Sequence, residues 1–375
     1  MRKKKLLYIL PVLFLLYIIW LGYHLLWFKT YKTPPPDDAH LEIEGAYHIH
    51  TVFSDGRKHP DKIAKIASDA SLDFIILTDH GNPNYECLQS QGWKKEVLVL
   101  AGSELSVSRG HLVALGFKTP SIPFPQNAER ASQKIEALHG FSIIAHPYSK
   151  ASWSWGKIVC YQGLEIMNGD TILKRNFISS LPFLPALLVK PEFALLKMVD
   201  RPYLNLKKWD TINATHSIYG YFSVDAHLIY RPLFSLLRLH VLLRNSLSSD
   251  FQTAKNQVTE ALRKGSFYNS IDAAAQARGF RFWASKREAS ILMGRTLLLD
   301  SPVMLHIKAQ FPFSIEILLI HDGKTILRST KTGIAFEAKN PGTYRVEIYL
   351  KERTPLGKDI PWIISNPIFL QEEKS

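Results

Sequence analysis

Nine histidine, aspartate and glutamate residues between positions 48 and 227 have types and spacings that suit metal binding. His48 and His50 flank one residue, and Asp225 and His227 repeat this alternate spacing. Residues two apart in an extended strand point to the same face, so each pair could bind one metal ion. The other five stand at the boundaries of short apolar runs and are Asp55, His80, Glu104, His111 and His146. Mixed imidazole and carboxylate ligands suit Zn, Mn or Fe, and ligand type alone does not choose among these metals.

Short apolar runs alternate with helix-like stretches from about residue 41, and this organisation would bring the nine residues together. Buried strands are predicted at 73–78, 97–101, 111–117, 141–145 and 163–167, and helices at 60–70 and 127–138. Such alternation indicates an α/β fold with a parallel sheet or barrel. In that fold the carboxyl ends of the strands converge on one face, where ligands from distant parts of the chain can meet.

As an ordered set, the motifs around these residues resemble the PHP (polymerase and histidinol phosphatase) family of metal-dependent phosphoesterases. The motifs are GAYHIHTVFSDG at 45–56, ILTDHG at 76–81, GSEL at 102–105, GHLVALG at 110–116, IIAHP at 143–147 and SVDAH at 223–227. Together they span most of residues 41–270. The resemblance implies an α/β fold of a particular kind, a distorted (β/α)7 barrel that holds two or three divalent metal ions.

The resemblance also implies how the ligands are shared among the ions. The first ion would be bound by His48, His50, Glu104 and Asp225. The second would share Glu104 as a bridging ligand and would be completed by His111 and His146. The third would be bound by Asp55, His80 and His227. His111 is aligned only through the Leu-Val-Ala-Leu-Gly that follows it.

A further carboxylate, Asp79, adjoins His80 at the end of the first of these strands. Ligating histidines usually donate their second N–H to a carboxylate or a carbonyl group. Asp79 could therefore act in catalysis by orienting His48 or His50. The alternative is that Asp79 caps a turn.

Four residues are candidates for substrate binding. Arg57 and Lys58 closely follow Asp55 and could bind a substrate phosphate, and Arg57 is also a candidate for catalysis. The alternative for both is a solvated, charged turn. Glu165 and Asn168 lie in GLEIMN at the end of a predicted strand, where they would contact the substrate or cap the next helix.

Composition and charge limit the classes of function. The chain has 375 residues, 46% of them hydrophobic, and two cysteines, which excludes a disordered chain and a disulfide scaffold. Whether Cys87 and Cys160 pair is left open. The net charge of +13 is divided as +6 in residues 1–32, −4 in 33–170, +10 in 171–299 and +1 in 300–375. Because the segment with most of the candidate ligands is acidic, a nucleic acid partner and nuclease activity are disfavoured.

The N-terminal segment predicts a membrane anchor. Residues 6–28 carry no charged side chain and would form a helix about 34 Å long, enough to span a bilayer core of about 30 Å. The four basic residues at positions 2–5 predict a cytoplasmic N-terminus and an extracytoplasmic catalytic domain. No small-x-small cleavage site precedes the prolines at 34–36, which favours an uncleaved anchor over the alternative, a cleaved signal peptide.

Two later stretches, 181–199 and 233–247, combine apolar and basic residues within the segment of charge +10. Three prolines interrupt the first stretch, so it is a poor membrane span. We expect both stretches to form a surface that lies against anionic lipid near the anchor. Ordinary helix packing over the fold is the alternative.

The predicted organisation is a transmembrane anchor at 1–32, a Pro-rich linker at 33–40, a metal-dependent hydrolase domain at 41–299 and a C-terminal domain at 300–375. Alternating strands with an Asp-Gly turn at 322–323 predict that the C-terminal domain is a small β-sandwich.

The resemblance implies that a metal-activated water hydrolyses a small-molecule or lipid phosphate ester in this site. Two alternatives belong to other classes. One is a different metallohydrolase, such as an amidohydrolase or a nuclease, that uses the same ions, because a fold does not determine a substrate. The other is a non-enzymatic binding module with a vestigial site.

Overall fold

The structure is a computed structural model, which describes residues 2–34, 41–149, 152–157 and 160–372, without the side chains of residues 2–8. Most of the predicted linker at 33–40, and the basic side chains at 2–5, therefore lie outside the described residues. The chain is a mixed α/β protein with one apolar helix at its N-terminus, so the predicted fold class is confirmed at that level.

The helices predicted at 60–70 and 127–138 are present as Pro60–Asp69 and Ala128–Ala137. The α-helices are α1 (Arg2–Trp27), α2 (Pro60–Asp69), α3 (Tyr85–Gln89), α4 (Ala128–Ala137), α5 (Gly169–Asn176), α6 (Pro191–Met198), α7 (Tyr203–Asn213), α8 (Tyr230–Leu236) and α9 (Phe251–Arg263). One 3-10 helix, η1 (Leu181–Leu188), precedes α6. The side chains of Asn127, Asn168 and Asp250 accept backbone N–H bonds at the starts of α4, α5 and α9, and these caps explain where the three helices begin.

Within the described residues, the strands form three sheets. They are β1 (Leu41–Ile49), β2 (Phe74–Leu77), β3 (Gly92–Lys94), β4 (Val97–Ala101), β5 (Ser103–Val107), β6 (Gly110–Leu115), β7 (Phe141–Ile144), β8 (Gly163–Asn168), β9 (Tyr219–Ser223), β10 (Arg238–Leu243), β11 (Phe267–Ser270), β12 (Arg281–Lys286), β13 (Ala289–Leu292), β14 (Thr296–Leu298), β15 (Val303–Lys308), β16 (Ile315–His321), β17 (Lys324–Ser329), β18 (Gly333–Ala338), β19 (Gly342–Leu350), β20 (Ile363–Ser365) and β21 (Ile368–Gln371).

Two of these sheets surround the candidate ligands. In one, β1 pairs in parallel with β2, and β2 pairs in parallel with β4. In the other, β5 to β9 follow one another in sequence order. A bridge between His80 and Glu104 joins the first sheet to the second. Backbone hydrogen bonds of Ala226 with His48 and His50 lead from the end of β9 back to β1, so the series of strands returns to its start.

Strand β6 departs from the predicted parallel arrangement, because it pairs antiparallel with both β5 and β7. Ser108 and Arg109 form a two-residue turn before it, and Gly110 has a φ of 139°, a conformation that favours glycine. Parallel strands need a crossover of a dozen or so residues, and a turn this short leaves no room for one.

The stretch 233–247 lies largely inside the protein, contrary to the expected lipid-facing surface. It forms the end of α8 and all of β10, which pairs with β1 and β11. Its buried leucines are Leu233, Leu236, Leu237, Leu239, Leu242 and Leu243. Arg238 donates to the carboxylate of Glu44, and His240 lies between Glu42 and Asp272. Two of the basic side chains of this stretch thus neutralise buried acids and do not face lipid.

The predicted domain boundary at residue 300 does not separate two sheets. Strand β12, before the boundary, pairs with β15 after it in a four-stranded sheet. Strand β20 pairs with β11 and β19, so the sheet that contains β1 continues into the C-terminal strands. Phe282, Leu305 and Trp362 belong to the same hydrophobic core as the strands around the candidate ligands. Pairing between distant strands is not visible in the alternation pattern of each strand.

Helix α1 contains an apolar window, Ile9–Trp27, with a mean hydropathy of 2.1, of which 6% is buried. The window is long and apolar enough to cross a membrane, and a signal sequence near an N-terminus would meet the same criteria. The second half of α1 packs against η1 and α6, where Leu21, Ala186, Phe193 and Ala194 form a small cluster. The stretch 181–199 therefore contacts the apolar helix.

Candidate metal centre

The nine candidate ligands lie together at one end of the strand series. Three of them have backbone conformations that are rare for residues other than glycine, with φ of 70° at His48, 27° at His146 and 47° at Asp225. The pairing of β1 with β2 shifts register at His48, as in a β-bulge. Such strained conformations cost about 1–3 kcal/mol each and cluster at functional sites. His48 and His50 thus meet through a bulge, and not through the regular alternation from which their proximity was predicted.

The first group consists of four buried side chains, His48, His50, Glu104 and Asp225. The Nε2 atoms of the two histidines are 3.1 Å apart, and each lies 3.2 Å from Oε2 of Glu104. Their distances to Oδ1 of Asp225 are 3.5 Å and 3.3 Å. The donor atoms of His48, His50 and Glu104 are close enough to share a single ion, and Asp225 adjoins both histidines.

The second group lies on the other oxygen of Glu104. Its Oε1 is 2.8 Å from Nδ1 of His111 and 3.0 Å from Nε2 of His146. The two carboxylate oxygens of Glu104 therefore face different sets of imidazoles. This is the position in which a carboxylate can bridge two ions, as the resemblance implied.

The third group surrounds Asp55, whose side chain is 53% exposed. Its Oδ2 lies 3.3 Å from Nε2 of His227 and 3.7 Å from Nε2 of His80. Its Oδ1 lies 3.3 Å from Nδ1 of His50, so His50 adjoins both the first and the third group. The structure thus brings all nine predicted residues into one centre, and the third group is its most open part.

Glu165 lies behind the centre and does not line the cleft. Its Oε1 accepts a hydrogen bond from Nδ1 of His48 at 2.6 Å, and its Oε2 accepts one from the backbone N–H of His146 at 2.9 Å. The predicted substrate contact is therefore wrong, because Glu165 is fully buried. It orients His48, which is the role that the sequence analysis gave to Asp79. A buried acid at a strand end was the available signal, but its partner could not be inferred from it.

Asn168 combines two functions. Its side-chain oxygen accepts the N–H of Thr171 and so caps α5, as the alternative interpretation held. Its amide nitrogen donates to Oδ2 of Asp225 at 3.1 Å and to Oε2 of Glu165 at 2.9 Å. Asn168 therefore connects the start of α5 to two carboxylates of the centre.

Asp79 is buried, but it contacts neither His48 nor His50 among the described side chains. Its carboxylate accepts hydrogen bonds from the backbone N–H of Thr51 at 2.7 Å, from the Thr51 hydroxyl at 2.8 Å and from the Ser54 hydroxyl. Asp79 thus fixes the loop that leads from His50 to Asp55, which corrects the prediction that it orients a histidine.

Both cysteines are free thiols in the structure. Cys87 is buried near Asp79, and burial together with that carboxylate raises the pKa of the thiol. Cys87 belongs to none of the candidate metal-binding groups formed by the described residues.

A cleft of about 870 Å³ opens over the three groups. Among the described residues, the lysine and arginine side chains that line it are Lys174, Arg175 and Arg201. Arg57 and Lys58 are absent from its lining, so the structure does not support their predicted contact with a substrate phosphate. The backbone N–H of Arg57 donates to the carbonyl oxygen of His227 at 2.9 Å, while its side chain is exposed. The cations that line the cleft come from α5 and from the segment before α7, within the segment of charge +10. Each pairs with an acid, Lys174 with Asp170, Arg175 with Asp200 and Arg201 with Glu347.

The carboxylates dominate the electrostatics of the centre. Burial opposes protonation of His48, but the charges of Asp225, Glu165 and Glu104 outweigh it and raise its pKa well above the ordinary value. Burial is likewise outweighed at His50, where hydrogen bonds to Asp225 and Glu104 raise the pKa to about 9. The acids of the centre therefore require nearby positive charge, which either protons or bound cations can supply.

The donor set fits transition-metal ions. The Nδ1 atoms of His80 and His111 are buried and have no hydrogen-bond partner within the described part of the chain. Nδ1 of His111 nevertheless lies 2.8 Å from Oε1 of Glu104, so the two atoms approach without forming a hydrogen bond. Two ligand atoms this close together without a hydrogen bond are what is expected when both bind the same ion. Ca²⁺ and Mg²⁺ prefer oxygen ligands, so the imidazoles favour Zn, Mn or Fe.

Comparison with known proteins gives limited information. No family model matches the chain. Over 137 residues the chain is 28% identical to an uncharacterized protein of Methanocaldococcus jannaschii, an alignment that covers 32% of this chain and 79% of that protein.

Three solved structures are similar to this one. A two-domain protein of Bacteroides vulgatus, described as containing a predicted PHP-like metal-dependent phosphoesterase, is 14% identical, with 91% of this chain and 99% of that chain covered and a TM-score of 0.47. A protein of Bifidobacterium adolescentis, described as a metal-dependent phosphoesterase by inference only, is 14% identical, with coverages of 52% and 89% and a TM-score of 0.33. An amidohydrolase of Chromobacterium violaceum is 15% identical, with coverages of 49% and 88% and a TM-score of 0.30. Since these scores are low, a functional conclusion has to rest on the residues of this chain.

Proposed function

We propose that the protein is a metal-dependent phosphoesterase of the PHP family that binds two or three divalent ions of Zn, Mn or Fe through the nine predicted ligands. The position of Glu104 carries the proposal, because its Oε1 faces His111 and His146 while its Oε2 faces His48 and His50. A carboxylate shared in this way suits hydrolases that use adjacent ions on the attacking and the leaving oxygen.

When bound, such ions would lower the pKa of a coordinated water and stabilise the charge on the leaving oxygen. The residues of the chain have distinct tasks around them. Glu165 fixes the ring of His48, and Asn168 holds the carboxylate of Asp225. Lys174 and Arg175 at the cleft would bind phosphoryl oxygens by charge-assisted hydrogen bonds. This chemistry requires no covalent nucleophile from the protein.

The proposal includes the fold and the location of the enzyme. The series β1, β2, β4 with β5, β6, β7, β8 and β9 would be the (β/α)7 barrel, with β4 and β5 counted as one strand interrupted at Gly102. The hydrogen bonds of Ala226 that lead back to β1 support this interpretation. Helix α1 would anchor the enzyme in a membrane with its N-terminus in the cytoplasm and the cleft outside. The low burial of its apolar window supports the anchor.

Metal analysis and a substrate panel test the proposal on the purified full-length protein in detergent. We expect two or three bound equivalents of transition metal, loss of activity on chelation, and recovery of phosphate ester hydrolysis with Mn or Zn. Hydrolysis of amides alone would favour an amidohydrolase, and cleavage of single-stranded nucleic acid would favour a nuclease. A protein without bound metal or metal-stimulated hydrolysis would be the non-enzymatic module.

A further inference from the structure

Residues 177–189, here called the apolar loop, include η1 and carry no charged side chain. Five of its apolar side chains are exposed: Phe177 by 50%, Ile178 by 79%, Leu181 by 50%, Leu188 by 91% and Val189 by 69%. Soluble proteins rarely expose so many large apolar side chains in one short segment, and such patches mark surfaces for partners or membranes.

The apolar loop lies along the middle of α1. The hydroxyl of Tyr17 donates to the carbonyl oxygen of Pro182 at 2.8 Å. The rings of Trp20 and Phe183 are 5.6 Å apart, and Leu21 packs with Ala186. Tyr17 stands near the centre of the apolar window Ile9–Trp27. A membrane that surrounds this window would therefore also surround the part of the apolar loop that contacts it, from Pro182 to Ala186.

The end of the apolar loop is held at the C-terminal end of the same helix. Nζ of Lys190 donates to the carbonyl oxygens of Leu25 at 2.6 Å and Phe28 at 2.9 Å. Eight residues separate Tyr17 from Leu25, about 12 Å along a helix that rises about 1.5 Å per residue. Lys190 therefore lies beside the end of the apolar window, and Pro182 lies beside its middle. The two residues are about 12 Å apart along the axis of α1.

The charged residues on both sides of the apolar loop are arranged for this placement. Arg175 precedes the apolar loop and Lys190 follows it. A cation at each end suits a loop whose two ends lie at the headgroup layer. Backbone groups in lipid must be hydrogen-bonded, and Pro182 and Pro185 have no N–H to satisfy. The N–H of Val189 donates within the loop to the carbonyl oxygen of Ala186.

The cleft adjoins the same segment. Lys174 and Arg175, which stand shortly before the apolar loop in the sequence, line the cleft. Tyr203 and Leu204 also line it, and they are 61% and 54% exposed. If the apolar loop is embedded, this side of the cleft lies at the headgroup layer.

We propose that the apolar loop is inserted into the leaflet next to the C-terminal end of α1, and that the cleft takes its substrate from the headgroup layer as a lipid-borne phosphate ester. The choice of substrate rests on the proposed phosphoesterase activity, whereas insertion of the loop rests only on the proposed membrane anchor. Continuity of the loop with the apolar helix favours lipid over a protein partner as the occupant of this surface.

Fluorescence quenching tests insertion on the full-length protein in liposomes. Ile178→Cys and Leu188→Cys, each in a Cys160→Ser background and labelled with an environment-sensitive dye, should be quenched by lipids that carry spin labels on their acyl chains. Leu298→Cys on β14 is the control, since Leu298 is 45% exposed and its strand pairs with β21 of the C-terminal part of the chain. Quenching at Leu188 no stronger than at Leu298 would overturn insertion.

A comparison of two substrates tests the choice of substrate. The metal-loaded full-length protein should hydrolyse phosphatidic acid in vesicles, and Leu188→Ser/Val189→Ser should lower kcat/KM for it about tenfold or more. The same variant, and the control Leu298→Ser, should leave hydrolysis of soluble p-nitrophenyl phosphate unchanged. Hydrolysis of the soluble ester alone, or equal kcat/KM losses on both substrates, would overturn the lipid substrate and leave the phosphoesterase intact. If neither substrate is hydrolysed, the proposed function fails as well, and quenching alone decides insertion.

Discussion

The carboxylate of Glu165 accepts a hydrogen bond from Nδ1 of His48 at 2.6 Å, so that Nε2 of the same ring faces Glu104 and Asp225. One buried acid thus determines which nitrogen of His48 is available to an ion. Acids in this position orient ligating imidazoles and increase their basicity.

We expect Glu165→Gln to weaken metal binding by about 10–100-fold, because the amide retains the shape of the side chain but removes its charge. Metal titration of the chelated protein would measure the change, and circular dichroism would verify the fold. Glu136→Gln, at an exposed position of α4, is the matched control. Unchanged affinity would show that the hydrogen bond to His48 has no role in metal binding.

Glu104→Gln should reduce hydrolysis at least about 100-fold, because it removes the charge shared by the first and second groups. The change of an oxygen to an amide nitrogen also removes one of the two ligand atoms, because an amide nitrogen has no free lone pair for an ion. Initial rates with saturating Mn or Zn provide the measurement, with exposed Glu96→Gln as the control. Retained activity would refute the bridging role of Glu104.

The ligand candidates could be predicted from the sequence because imidazoles and carboxylates at strand ends are chemically distinctive in any context. The role of Glu165 could not be predicted, since His48 is 117 residues away and the contact depends on where β8 lies relative to β1. The same limit applies to the cleft cations. Arg57 is next to the ligand motif in sequence, whereas Arg175 lines the cleft because it lies on α5, the helix that Asn168 caps.

The sequence also does not show which of the two stretches that mix basic and apolar residues is buried. The stretch 233–247 has the composition of a lipid-facing surface, but its pairing with β1 and β11 buries it, and acids on neighbouring strands neutralise Arg238 and His240. The stretch 181–199 has a similar composition and contacts α1. Local composition does not distinguish the two cases, because the difference lies in long-range pairing.

Asp79→Asn should release the loop between His50 and Asp55. An amide has one acceptor oxygen. If this oxygen keeps the bonds from the N–H of Thr51 and the hydroxyl of Ser54, which now share one carboxylate oxygen, the amide nitrogen faces the hydroxyl of Thr51 and that bond is lost. We expect the loss of about one metal equivalent per chain, from the third group, while the first two groups remain occupied. Elemental analysis of the dialysed protein would show this loss. An unchanged stoichiometry would contradict the positioning role of Asp79.

The positions of Arg175 and Arg57 predict different kinetic effects. Arg175→Ala should raise KM for a phosphate ester about tenfold with little change in kcat, because it removes a charge-assisted contact worth about 1.5 kcal/mol. Arg57→Ala, which deletes a cation of the same type outside the cleft lining, should change neither constant. Steady-state kinetics on both variants provide the measurement. A raised KM for Arg57→Ala, with unchanged constants for Arg175→Ala, would instead support the substrate contact predicted for Arg57.

The buried ion pairs of His240 predict how stability depends on pH. Its Nδ1 lies 2.7 Å from Glu42 and its Nε2 lies 3.1 Å from Asp272. Burial opposes protonation, but Asp272 and its neighbouring acids outweigh it and raise the pKa to about 10. Since this pKa exceeds the ordinary value of 6.5, the ion pairs contribute fully below pH 6.5, and their contribution is lost as the pH rises through about 10.

His240→Gln should therefore lower the free energy of unfolding by about 3 kcal/mol near pH 6, and by progressively less as the pH approaches 10. Denaturant unfolding of the variant and the wild type at pH 6 and pH 9.5 would measure the two differences. Titration of the other histidines is common to both proteins and cancels. The exposed His216→Gln is the control and should show almost no difference at either pH. A destabilisation by His240→Gln that is equal at both pH values would mean that His240 is not charged in the folded protein and stabilises it only by packing against Tyr268.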